Sequence, residues 1–241
     1  MTDALLDVRD LTKHYGGVSA SDDITFSVAN GEIFGVIGPN GAGKTTLFNL
    51  ITGFEKPDRG TIVFGGRDIT GLRPDQRNRA GIARTFQIVK PFARMTVEEN
   101  VIAGALSRTK GVAEARERAG HCIELVGLVE KRHALGRELS TGQRKRLEMA
   151  RAMATQPKLL LLDEVTGGVD QPSIPGLIDL VHRLQDEGVS LLVIEHNMRV
   201  IMELANRVMF LNLGRKLAEG RPSEVSRHPD VIRLYLGSGH A

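Results

Sequence analysis

Among 241 residues there is a single cysteine, Cys122, and no tryptophan. One thiol closes no disulfide within the chain and builds no multi-cysteine zinc site, which points to a reducing compartment. Long apolar runs are also missing. The stretch 159–162 is wholly leucine but far shorter than the ~20 residues needed to cross a bilayer. The opening Met1-Thr2-Asp3-Ala4 has neither the basic start nor the apolar core of a signal peptide. The expectation is a cytoplasmic chain that does not span a membrane. Aromatics are scarce, with 8 Phe and 2 Tyr, and this argues mildly against a platform for stacking nucleic-acid bases. A net charge of +3 permits acidic partners without demanding them.

What is present is ordinary globular composition, with 41% hydrophobic and 25% charged residues. A chain of this size buries roughly 70–75% of its unfolded surface and needs no staples. Strand-like alternation covers 5–8 and 24–28, closed by Asn30-Gly31, a strong hairpin signal. An apolar strand at 33–37 runs into a glycine-rich turn, and 45–51 reads as a helix stopped near Gly53. A further β segment is expected at 61–64. From about 73 to 155 the pattern is mainly helical. Thr96 and Glu99 spell a capping box before a helix to Leu106, 111–126 is amphipathic, and a third helix is expected over 141–154. Afterwards strands at 158–162 and 190–195 flank a helix at 174–185, and a strand pair at 208–211 and 216–218 turns through Gly214. Buried strands alternating with helices predict an α/β fold with a parallel sheet, preceded by a β region and interrupted by a helical insertion.

Residues 38–45, Gly-Pro-Asn-Gly-Ala-Gly-Lys-Thr, match G-x-x-x-x-G-K-[ST] between an expected strand and an expected helix. Glycines let successive backbone N–H groups wrap phosphate oxygens, and the helix N-terminus adds favourable dipole charge. Lys44 is expected to neutralise β- and γ-phosphates, and the Thr45 hydroxyl to ligate Mg2+. The apolar strand at 158–162 ends in Asp163 and Glu164. Asp163 is placed to hold Mg2+. Glu164 points elsewhere, because side chains alternate along a strand, and is placed to polarise an attacking water. Leu139-Ser140-Thr141-Gly142-Gln143 opens a helix carrying Arg144, Lys145, Arg146 and Glu148. A Ser and a Gly there make either a plain helix cap or an anion site.

These motifs together resemble the ATP-binding subunit of ABC transporters over nearly the whole chain. In order stand Tyr15, the phosphate loop, Gln87, the signature 139–143, the Asp163-Glu164 pair, Gly167-Gly168-Val169-Asp170 and His196. The resemblance implies a P-loop ATPase core with a parallel sheet, an N-terminal antiparallel β subdomain and a helical subdomain at about 88–155, all one nucleotide-binding domain over 1–241. It implies ATP and Mg2+ as ligands and two subunits facing head to tail. Tyr15 and Val18 then flank adenine, while Gly38, Asn40, Gly41, Gly43, Lys44, Thr45 and Thr46 hold the phosphates. Ser140, Gly142 and Gln143, with Asp170, serve the nucleotide of the partner subunit. Gln87, Thr45 and Asp163 attend the metal, and Glu164, His196 and Gln87 the hydrolysis.

Three departures from the family pattern are visible. Thr141 replaces the signature's first glycine, Val165 replaces the proline after the acidic pair, and Asn197 replaces an aspartate after the histidine. Activity is expected to survive Thr141, Val165 is expected to alter kinetics rather than abolish activity, and Asn197 is expected to be minor. The stretches 84–87 with 95–100, 193–198 and 229–237 are similar to ATPases of branched-chain amino acid importers; urea, amide and lipopolysaccharide-export ATPases share parts of them. That kinship implies permease subunits, a substrate-binding protein, no nucleic acid, and a peripheral seat on the cytoplasmic face of the inner membrane. Two other classes stay open: a soluble ABC ATPase acting on DNA or ribosomes, against which one half-site and no coiled-coil insert argue, and a non-hydrolysing ATP-dependent dimeriser, against which Glu164 and His196 argue. Arg73, Arg77, Arg79, Arg84, Lys90 and Arg94 against Asp75 alone form either a docking face or a solvated basic one. Ile88, Val89, Pro91 and Phe92 are candidates to line a cleft for a membrane partner. Cys122 is expected to be a small buried side chain.

Overall fold

The computed structural model describes residues 4–86 and 91–236. It divides into two compact units, one made of residues up to Ala80 together with those from Ser190 on, the other Gly81–Val189.

In the first unit, strands β1 (Ala4–Tyr15) and β2 (Val18–Ala29) form a long antiparallel hairpin. β4 (Arg59–Phe64) pairs antiparallel with β1 on its other side, and the short β5 (Arg67–Asp68) completes this sheet. β3 (Ile33–Ile37) belongs to a different layer, lying parallel to both β8 (Ser190–Ile194) and β9 (Arg207–Asn212), with β10 (Arg215–Gly220) antiparallel at the edge. All five residues of β3 and of β8 are buried, as a strand covered on both faces requires. The two layers meet through Phe26 and Phe34, stacked at 5.2 Å between centroids.

This corrects one expectation. Asn30-Gly31 does turn the chain, with Gly31 at φ 70°, but β2 and β3 on either side of it do not pair. The hairpin turn is instead Gly16-Gly17, where Tyr15 faces Val18.

Helix α1 (Lys44–Thr52) ends on Gly53 at φ 80°, as the stop signal predicts. Its last carbonyls are met by a side chain from α2 (Pro74–Ala80). Arg77, 1% exposed, donates to the carbonyls of Leu50 and Ile51, and also to Leu72 and Thr70. Burial pulls this guanidinium down to about 10, since desolvation penalises its charge. The basic stretch around it is therefore not one face. Arg73 and Arg79 are exposed, whereas Arg77 is interior and Arg84 is nearly so. Replacing Arg77 by Met removes the charged donors that four carbonyls now receive. We expect a loss of about 3 kcal/mol or more in urea unfolding. A change below about 1 kcal/mol would show that water meets those carbonyls instead.

In the second unit, β6 (Ile82–Arg84) runs parallel to β7 (Leu159–Asp163). β6 interrupts the stretch expected to be mainly helical. Three helices follow it: α3 (Val97–Ala105), α4 (Val112–Leu125) and α5 (Thr141–Ala154). The Thr96–Glu99 capping box is formed in both directions, and buried Asn100 pins the loop before it through the carbonyls of Phe92, Met95 and Thr96. Arg118 on α4 donates to the carbonyls of Met153 and Ala154, closing the C-terminus of α5. α6 (Ile174–Asp186) buries Leu177, Leu180, Val181 and Leu184 on one stripe. Cys122 is buried, and desolvation pushes its thiol up to about 11. In the first unit, the later α-helices are α7 (Met198–Leu204), α8 (Pro222–Val225) and α9 (Pro229–Val231), the last running into a π-helical turn at Ile232–Leu236. Among the described residues no helix is long and apolar enough to cross a membrane.

Candidate functional site

The phosphate loop sits where β3 ends and α1 begins, at the carboxyl edge of parallel strands, where open α/β sheets receive ligands. Two of its glycines are required by close approach. A Cβ on Gly38 would lie 2.1 Å from the Leu211 carbonyl oxygen, and one on Gly43 would lie 2.1 Å from that of Ala20. Both have positive φ, 152° and 101°. Gly43 is also the N-cap of α1, so no side chain folds back over the helix's first N–H groups. Lys44 Nζ curls over the loop and donates to the carbonyls of Gly38 (2.7 Å) and Pro39 (2.9 Å). A glycine turn with inward N–H groups, a helix N-terminus and an ammonium is built to take a polyphosphate. Thr45 and Thr46 follow in the first turn of α1.

Within the same unit, Val36 of β3 is in register with Ile194 of β8. His196, two residues past Ile194, therefore emerges on the edge from which the phosphate loop also emerges, and it is exposed. Tyr15 and Val18 flank the β1–β2 turn at 47% and 66% exposure, an unburied aromatic and aliphatic pair able to take a flat ring. Lys13 Nζ stands 5.7 Å from the Tyr15 ring centroid.

The second unit carries the acidic pair. Asp163 ends β7, and its carboxylate is paired at 3.0 Å with Arg84 of the neighbouring β6, with side chains only 4% and 7% exposed. Burial pushes the Asp163 carboxyl up, while the Arg84 hydrogen bond holds it back. Glu164 takes a left-handed φ of 51°, uncommon for a residue with a side chain. Its carbonyl accepts from Gly167 N–H at 3.2 Å and from Lys145 Nζ of α5. Val165, in the usual proline position, is buried.

Ser140 is the N-cap of α5, accepting from Gln143 N–H, while the Gln143 side chain accepts from Ser140 N–H. Cap and anion site are thus compatible, because Ser140 is exposed and Gly142 adds no side chain. Thr141, the first departure from the family pattern, is accommodated beside Gly168. A Cβ on Gly168 would be 3.9 Å from Thr141 Cγ2, so the added threonine has space where Gly168 has none of its own side chain. Asp170 starts a short 3-10 turn and accepts the Ser173 hydroxyl on both carboxylate oxygens at 2.9 Å. Gln87 lies outside the described residues, as do Ile88, Val89 and Lys90.

Sequence reasoning missed two residues here. Arg84 groups with a basic face in the sequence and Lys145 is given no role there, yet one holds Asp163 and the other Glu164. Charge alone gives no signal of burial. Glu148, one turn after Lys145, accepts Phe86 N–H at 2.8 Å, and burial raises its carboxyl against that bond.

A model of the ABC transporter family matches residues 21–167, and a model described as branched-chain amino acid ATP-binding cassette transporter matches 215–241. The chain is 38% identical to the high-affinity branched-chain amino acid transport ATP-binding protein LivG of Escherichia coli (strain K12), over 98% of this chain and 99% of that one. It is 37% identical to the lipopolysaccharide export system ATP-binding protein LptB of the same strain, over 97% and 98%. The crystal structure of the ADP conformation of an ATP-binding cassette superposes with a TM-score of 0.89 at 32% identity, covering 97% and 99%. A dimeric bacterial ABC transporter cassette superposes with a TM-score of 0.81 at 26% identity, covering 90% and 98%. Phosphate loop, capped signature helix and acidic strand end stand in a fold and sequence matched along almost their whole length, and this chain belongs to the ABC transporter family as one of its ATPases.

Proposed function

We propose that this chain hydrolyses ATP to drive a membrane importer of branched-chain or other hydrophobic amino acids. The match of 215–241 to the branched-chain family model carries the substrate class, because that segment lies outside the general ATPase match. The kinship with LivG supports it.

In this reading residues 1–241 are one nucleotide-binding domain, with a helical subdomain at about 88–155. Tyr15 and Val18 flank adenine. Lys44 and the backbone N–H groups from Asn40 and Gly41 to Thr46 hold the phosphates. The metal's donor set is the Thr45 hydroxyl, the Asp163 carboxylate and the Gln87 amide, all hard oxygens of the kind Mg2+ accepts. Among the described residues no three His, Cys, Asp or Glu group to hold a metal by themselves, and phosphate oxygens and water would complete its shell. Mg2+ there would neutralise charge developing on the phosphates. Glu164 takes the proton of the attacking water, and His196 stabilises charge on the γ-phosphate. Ser140, Gly142 and Gln143, with Asp170, complete the site of a second ATPase subunit, as the dimeric cassette supports. Permease subunits, reached through the Gln87 region, provide the path. A substrate-binding protein delivers the amino acid, and the complex sits at the cytoplasmic face of the inner membrane.

Deletion of the gene, followed by uptake of labelled leucine, urea and an assay of outer-membrane integrity, separates the relatives. We expect leucine uptake to fall at least tenfold with the other two unchanged, and the wild-type gene to restore it. Intact leucine uptake with a urea or envelope defect would overturn the substrate class.

A further inference from the structure

The signature helix does more than present Ser140 and Gly142. Five residues past that cap, α5 sends Lys145 inward, where it is 6% exposed and donates to the backbone carbonyl of Glu164. This bond falls on a residue whose backbone is unusual. Glu164 holds φ 51°, a region disfavoured for a residue with a Cβ unless the surroundings fix it. The same carbonyl accepts from Gly167 N–H at 3.2 Å, so two donors on one oxygen fix the peptide plane. The Glu164 carboxylate lies over the same Gly167. A Cβ there would come 3.2 Å from Glu164 Oε2, so glycine at 167 leaves the carboxylate its place.

We propose that Lys145 is a positioning residue for the hydrolytic step: by clamping the Glu164 carbonyl it holds the left-handed backbone that aims the carboxylate. The clamp belongs to the helix whose N-terminus carries the signature. Any tilt of that helix moves Lys145 and with it the carbonyl of Glu164. Engagement of the signature by a nucleotide on the second subunit is thereby transmitted to this subunit's own Glu164. Glu148, three residues on, ties the same helix to Phe86 N–H at 2.8 Å.

The inference rests on Glu164 acting as the base, and the test keeps the two apart. Purified full-length wild type, Lys145→Met, Lys145→Arg, Glu164→Gln and the Lys145→Met/Glu164→Gln double variant are compared in Mg-ATPase and single-turnover assays, each with a thermal melt. Lys145→Met should lower kcat by about tenfold to a hundredfold, as misplacement of a reacting group by ångströms does, with KM within about twofold. Lys145→Arg, which keeps charge and donor, should recover most of it. On the Glu164→Gln background the same substitution should cost nothing further, since its target is already disabled. Equal losses on both backgrounds, or a lowered melt with unchanged kcat, would overturn the positioning role. Wild-type turnover in Glu164→Gln alone would overturn the base assignment instead. If Lys145→Met shows no cooperative melt, Lys145→Ala, which removes the donor and lets water reach the carbonyl, takes its place under the same two criteria.

Discussion

Glu164→Gln should lose ATP turnover by at least ~10², the range expected when a general base is removed, while still binding ATP with wild-type affinity. The substitution is close to isosteric. The bonds that hold this residue's backbone, from Lys145 Nζ and Gly167 N–H, are made to its carbonyl oxygen, and glutamine keeps that oxygen. The left-handed φ of 51° is demanded equally of both side chains, so the variant inherits the aim and loses only the proton acceptor. The measurement is steady-state phosphate release beside equilibrium binding of a fluorescent ATP analogue. Turnover within about threefold of wild type would remove Glu164 from the mechanism. A parallel loss of binding would mean that the carboxylate supports the loop rather than the chemistry.

Lys44→Met should give the second large effect, and on binding. The ammonium lies over the loop with two backbone carbonyls as partners, and a triphosphate offers it anionic oxygens in their place. A charge-assisted bond of this kind contributes about 2–3 kcal/mol, so ATP affinity should fall by roughly thirty- to a hundred-and-fiftyfold. Adenosine, which lacks the phosphates, should bind the variant and the wild type alike. Titration calorimetry reads both. An unchanged ATP affinity would place the polyphosphate elsewhere.

The geometry of the candidate site was legible in the sequence because each motif answers a demand of the backbone that few residues meet. Gly38 and Gly43 stand where a Cβ would strike carbonyl oxygens at 2.1 Å, and Ser140 with Gln143 closes a reciprocal cap that sets the start of α5. The Thr96–Glu99 box located α3 in the same way. What the sequence hid were choices made by tertiary pairing. Asn30-Gly31 announces a turn, but which strands pair across it is decided elsewhere, and here β2 joins β1 while β3 joins β8 and β9. β6 is three residues long, too short for any period to declare it. Arg77, Arg84 and Lys145 were hidden most deeply. A cation in a sequence reads as solvated, and only the fold supplies the carbonyls of α1, the Asp163 carboxylate or the Glu164 carbonyl that make burial tolerable.

Among the described residues no helix is long and apolar enough to cross a membrane, and the proposed work of the chain is that 38–45 bind ATP for Glu164 to help cleave. The most direct measurement is the identity of the nucleotide that stays on the protein after incubation with radiolabelled Mg-ATP and rapid gel filtration. Wild type should carry ADP, Glu164→Gln should carry uncleaved ATP, and Lys44→Met should carry almost none. ADP on Glu164→Gln at the wild-type rate, or full occupancy of Lys44→Met, would contradict the account.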